Sequence, residues 1–144
     1  MIYLSGLLFS AELKHIEFEE QYGFLDYDWL VRLFENQTSI ELPNLLFTRY
    51  VEGKNLSFNE KYRVSDHQAG ISLLEQYQLR YPKESRIGIQ KFHGTLARYY
   101  YLINQLPKSR RLLLKSGLFP KNWFFFLTSY FGHRLVRRYI HFFG

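Results

Sequence analysis

Along the first half of the chain, apolar and polar positions change rhythm several times before settling into a helical beat. IYLSGLLFS is short and rich in strand formers, so a strand is expected at about 2 to 9. AELKHIEF then reads as a short helix. After Asp26, the spacing of Tyr27, Leu30, Val31 and Phe34 follows the i, i+3, i+4, i+7 rule. It predicts an amphipathic helix that runs to about Glu35 and stops in Asn36, Gln37 and Thr38. NLLFTRYV, after Pro43, is a second candidate strand, with EGKN as its closing turn.

Helical periodicity dominates the remainder. Ser57-Phe-Asn-Glu60 fits a capping box and opens a helix over about 58 to 80, with Ala69, Leu73 and Tyr77 on one face, Gly70 as its weak point and Pro82 beyond its end. A helix over about 85 to 105 places Ile89, Phe92, Leu96, Tyr99 and Ile103 on one stripe. A short basic helix follows at about 108 to 116, and Pro120 suits the first turn of a last one. There is no internal repeat and no low-complexity linker.

At 144 residues the chain has the length of one domain with a modest core, and its 47% hydrophobic content argues against full disorder. It has no cysteine, which excludes disulfides and thiolate metal sites and suits a reducing compartment. No segment approaches the roughly 18 uninterrupted apolar residues of a spanning helix. The apolar start MIYLSGLLFSAELK has no basic leader, so the expected location is cytoplasmic.

Charge divides the chain. Residues 1 to 79 hold six Lys or Arg against twelve Asp or Glu, whereas residues 80 to 144 hold thirteen against Glu84 alone. Such an asymmetry points the second half toward an anionic partner.

The acids in GFLDYDWL admit three readings. Asp26 and Asp28 can cap and stabilise the start of a helix, because carboxylates accept from its exposed NH groups and favour the positive end of its dipole. They can chelate a hard cation, although no third acidic or His ligand follows nearby, as such sites usually require. Or they can do chemistry. His15, His67, His93, His133 and His141 show no close pairing, so a zinc site has little support. No Ser-centred elbow or phosphate-cradling Gly loop is visible.

Context adds to the third reading. Gly6-Leu-Leu-Phe-Ser10, Asp26-Tyr-Asp-Trp-Leu-Val-Arg-Leu33 and Thr48-Arg-Tyr-Val-Glu-Gly-Lys-Asn-Leu-Ser57 occur in an order and at separations that resemble the second half of the catalytic domain of family-2 glycosyltransferases, inverting enzymes of the GT-A type. The match covers about residues 1 to 57. The resemblance implies that Asp26 is the general base, taking a proton from an acceptor hydroxyl, with Asp28 and Arg32 as supporting residues and Ser5 and Gly6 lining the acceptor side. It implies a nucleotide-sugar donor and a sugar or lipid-linked acceptor. It also implies a divalent cation, Mg or Mn, for the intact enzyme, with no cofactor held by this chain. Leu25 stands where the family has a first acid, and Val51 and Glu52 stand where many relatives place a His. The nucleotide-binding half with its Asp-x-Asp motif has no counterpart, so a complete donor site is not expected in this chain.

The last third interleaves Lys108, Arg110, Arg111, Lys115, Lys121, Arg134, Arg137 and Arg138 with Trp123, Phe124, Phe125, Phe126, Tyr130, Phe131 and Tyr139. One reading is a helical surface in a membrane interface, its rings in the headgroup boundary and its cations on anionic lipid. A second is ordinary core packing with a solvated cationic face. Nucleic-acid binding would also place cations beside rings, but no recognised motif accompanies them. With the resemblance, the expected protein is peripheral on the inner face of the membrane. The alternative is a non-catalytic basic helical module that binds anionic membrane or a partner protein.

The expected architecture is therefore α+β, mostly α: two or three short strands of a GT-A type half-domain over 1–57, then a bundle of amphipathic helices over 58–144.

Overall fold

The computed structural model describes residues 7–18, 26–35, 37–40, 59–117 and 119–138. Of these residues 73% are helical and none is in a strand, which overturns the expected α+β class. The first predicted strand fails where it can be followed. Ser10 turns the chain into a short 3-10 helix, Ala11–His15, by accepting the Glu12 NH on its hydroxyl at 3.4 Å and the Leu13 NH on its carbonyl at 3.0 Å. A strand persists only where a neighbour takes its NH and CO groups, and no ladder exists among the described residues. Residues 2 to 6 and the whole of NLLFTRYV lie outside the described residues.

The chain packs as two compact units, Met1–Ala69 and Gly70–Gly144. In the first, α1 (Asp26–Phe34) buries Trp29, Leu30 and Leu33 against Leu7, Leu13 and Ile16. The helix predicted here is present, but turned: Tyr27 is exposed, and Trp29 takes the inward position instead. Its indole stacks on Phe18 at 4.6 Å, meets Phe9 edge-on at 5.4 Å and donates to the Ile16 carbonyl at 2.6 Å. These bonds set the rotation, because a buried indole NH requires an acceptor.

Next comes α2 (Glu60–Gln76), which crosses the boundary between the units. Its first turn is capped by Asn59, whose side-chain oxygen accepts the Tyr62 NH at 3.3 Å. Ser57, the predicted cap, lies outside the described residues.

In the second unit α3 (Pro82–Leu102) is the central helix. Pro82 opens it as its first residue rather than merely following α2. Asn104, at φ 63°, closes it: the Gln105 NH reaches the Tyr100 carbonyl at 2.8 Å and the Asn104 NH reaches Tyr101 at 3.2 Å, the paired bonds of a Schellman end. The sequence stripe misjudged this helix. Ile103 is exposed, while Leu96, Ala97, Tyr99, Tyr100 and Tyr101 are all buried, because α3 is covered on more than one side. Gly70 and Leu74 of α2 meet Phe92 and Gly88, respectively, along one flank.

On another flank α3 packs along α4 (Leu106–Lys115) and touches α5 (Pro120–Thr128). Ala97, Tyr101, Leu113, Phe125 and Val136 form the shared core, the last supplied by the short α6 (His133–Arg138). Polar bonds orient these helices. The Tyr101 hydroxyl donates to Thr128 Oγ1 at 3.0 Å, and an imidazole nitrogen of His133 pairs with the Tyr101 carbonyl at 2.9 Å. Among the described residues no helix is long and apolar enough to cross a membrane.

Candidate functional site

The two acids of the Asp-Tyr-Asp triplet have separate fates. Asp28 is buried and its Oδ2 pairs with Arg32 Nε at 2.8 Å, one turn further along α1. The same guanidinium donates through a terminal nitrogen to the Glu17 carbonyl at 2.8 Å. Asp28 and Arg32, predicted as supporting residues for substrate, are thus joined to each other and to the backbone beside Trp29. Asp26 occupies the first position of α1 and is exposed. The helix period separates them: two residues are about 200° of rotation on a helix of 3.6 residues per turn, so one acid faces out when the other faces in.

The chemical surroundings of Asp26 come from α2, which the sequence reading did not connect to it. The Tyr62 phenol is pushed above its ordinary value by burial first, then by the charges of Asp66 and Asp26, with Arg63 opposing. Burial also raises the Asp66 carboxyl, the nearby Arg63 lowers it, and Asp26 raises it again. Asp26, Tyr62 and Asp66 therefore share one electrostatic neighbourhood within the first unit. Nothing in the periodicity of either helix announces the pairing, since 36 to 40 residues separate the partners along the chain.

An exposed carboxylate at a helix start, beside a phenol and a second acid held toward its neutral form, can accept a proton or a hydrogen bond from an incoming hydroxyl. For the implied divalent cation the residues do not fit. Among the described residues no three His, Asp or Glu side chains converge, and Asp28 is already paired with Arg32. Ser5 and Gly6 lie outside the described residues.

The basic and aromatic positions of the second unit sort into two groups. α5 turns Asn122, Phe125 and the following Ser129 inward. Phe124, Leu127 and Phe131 succeed one another on the outward side, with Trp123 and Tyr130 also exposed and Leu135 continuing the apolar exposure on α6. Phe131 is 84% exposed and Leu127 60%. Lys121, Arg134, Arg137 and Arg138 are exposed on the same two helices, and Lys108, Arg111 and Lys115 on α4.

Arg110 belongs to the fold instead. Its guanidinium lies 3.8 Å from the centre of the Tyr130 ring, donates through Nε to Ser129 Oγ at 2.9 Å and bonds the Ser129 carbonyl. That arrangement ties α4 to the end of α5.

No protein-family model matches the sequence, and neither a curated protein nor a solved structure matches it.

Proposed function

We propose that this chain is the acceptor-side part of a glycosyltransferase, working with a donor-binding half to move a sugar from a nucleotide-sugar onto a hydroxyl acceptor. Two things support the reading: the three ordered sequence segments that resemble family-2 enzymes, and the contrast between an exposed Asp26 and a buried, ion-paired Asp28. The second observation carries it, because a general base has to reach the proton it removes.

In this scheme the Asp26 carboxylate takes the proton of the acceptor hydroxyl as that oxygen bonds to the anomeric carbon. The bond from that carbon to the nucleotide phosphate breaks on the opposite face, and the phosphate leaves with the electron pair. Asp28 and Arg32 act as positioning residues, holding the first turn of α1 so that Asp26 stays outward. The test is sugar transfer by an enzyme that includes the donor-binding half and carries Asp26→Asn. Turnover should fall on the order of 10²–10⁴-fold, the range for loss of a general base. Near-normal turnover would remove Asp26 from the mechanism.

The outward face of α5 and α6 supports a peripheral position on a membrane, and the family resemblance is what favours its cytoplasmic face. Exposed rings beside several cations suit an anionic lipid interface. A second reading rests on this face alone: a non-catalytic basic helical module docked on anionic membrane. It gains if sugar transfer survives loss of the Asp26 carboxylate while vesicle binding persists.

A further inference from the structure

A cavity of about 470 Å³ opens on the second unit between α3, α4 and α5. Its lining mixes two chemistries. Arg86 and Gln90 are polar and stand one turn apart on α3. Arg86 is exposed and makes no ion pair among the described residues. Leu114 of α4 and Trp123 and Phe126 of α5 supply apolar surface, with Leu114 68% exposed and Trp123 43%.

Two of the lining residues, Leu113 and Asn122, are buried, and one is held by hydrogen bonds: the Asn122 amide accepts from Arg98 at 3.0 Å and donates to the Ser116 carbonyl at 3.4 Å. Gly117 closes one side of the cavity at φ 76°, and a Cβ there would come within 2.8 Å of the Gln90 side chain. The cavity therefore depends on glycine at this turn, both for the backbone angle and for the close approach of Gln90.

We propose that this cavity binds one anionic membrane lipid, its phosphate on Arg86 and Gln90 and the upper part of its chains on Leu114, Trp123 and Phe126. An uncommitted guanidinium and a carboxamide suit phosphate oxygens, and they share the cavity with apolar surface that a free phosphate would leave in water. Charge agrees: thirteen Lys or Arg against one acid in residues 80 to 144 draw an anion toward this unit. The inference deepens the membrane reading above and rests on it, since it names a single lipid molecule within that interface.

A soluble short-chain lipid tests it apart from vesicles. Dihexanoyl phosphatidic acid, titrated into the whole chain below its micelle concentration, should shift the Trp123 indole resonance saturably with one lipid bound. Arg86→Gln should weaken that binding roughly tenfold, the loss expected for one charge-assisted bond. Leu114→Glu, which sets a carboxylate in the apolar surface, should abolish it.

Dihexanoyl phosphatidylcholine and inorganic phosphate at the same concentration should bind far more weakly. Equal binding of inorganic phosphate would overturn the lipid assignment in favour of a phosphate site. Unchanged affinity in Arg86→Gln, or equal binding of the zwitterionic lipid, would overturn the site itself. Leu127→Ser with Phe131→Ser should lower vesicle binding and leave short-chain affinity intact. Loss of vesicle binding alone thus reports on the membrane reading, and loss of short-chain binding alone on the cavity.

Discussion

Asp28 and Arg32 meet across one turn of α1 at 2.8 Å, with the carboxylate buried and the guanidinium still partly in solvent. Each satisfies the other, and Arg32 also reaches the Glu17 carbonyl, so the pair fastens the segment before α1 to the helix. Removing the charge of Asp28 takes a buried ionic hydrogen bond from a partly buried guanidinium. Asp28→Asn should lower stability by about 1–3 kcal/mol, less than for a wholly buried pair because Arg32 keeps contact with water. Urea unfolding followed by Trp29 fluorescence checks the value.

Asp26→Asn is the complementary change. At an exposed helix start the substitution leaves the core of Trp29, Leu30 and Leu33 untouched, and it removes a charge that opposes ionisation of Asp66 and Tyr62. Folding should change little, and under the proposed function sugar transfer by an enzyme that includes a donor-binding half should collapse. Unfolding curves measured beside turnover separate the two effects.

The raised Asp66 carboxyl makes a prediction about pH. Because the folded state holds this proton more tightly than the unfolded chain, whose value is about 3.9, ionisation of Asp66 disfavours the fold at neutral pH. That penalty develops as pH climbs from the unfolded value to the raised folded one, and it vanishes below both. Asp66→Asn should therefore stabilise the protein at pH 7 and confer no advantage near pH 3. Thermal unfolding of both forms across that interval gives the answer.

Phe124 and Phe125 are neighbours in sequence with opposite surroundings. Phe125 is 2% exposed in the core with Tyr101, whose ring it meets edge-on at 4.9 Å, whereas Phe124 is 37% exposed. Phe125→Ala should cost about 3–5 kcal/mol. Phe124→Ala should cost distinctly less and should instead weaken binding to anionic vesicles. Calorimetry and co-sedimentation on the same two variants give both halves of the comparison.

Replacing Arg134, Arg137 and Arg138 together by Ser should weaken binding to vesicles rich in anionic lipid by up to about 3 kcal/mol, at roughly 1 kcal/mol per cation near the surface. Salt should produce the same trend in the unaltered protein by screening. Indifference of binding to both would count against an electrostatic interface. Arg110 should contribute little to this binding because its guanidinium is bound to Ser129 and Tyr130.

Much of the helical part was legible in the chain. Apolar periodicity placed α1, α2 and α3 to within a few residues, the basic stretch marked α4, and Pro120 marked the start of α5. Pro82 and Pro107, however, expected to end helices, each stand in the first turn of the next one, and α6 after the break at Gly132 was not foreseen. The division of charge and the position of an acid at the start of α1 were equally plain. These features are local: they depend on a residue and its neighbours within one or two turns.

Tertiary structure decided the rest. It denied the first predicted strand a partner where that segment is described, turned α1 so that Trp29 went in and Tyr27 came out, and buried one acid of the triplet while leaving the other in water. It set Asp26 in the field of Tyr62 and Asp66, and it drew Arg110 into the bundle. The reason is physical. A helical repeat names a candidate face, but the face that is buried is the one whose apolar area and polar bonds are best met by segments distant in sequence, and no local pattern records where those segments will lie.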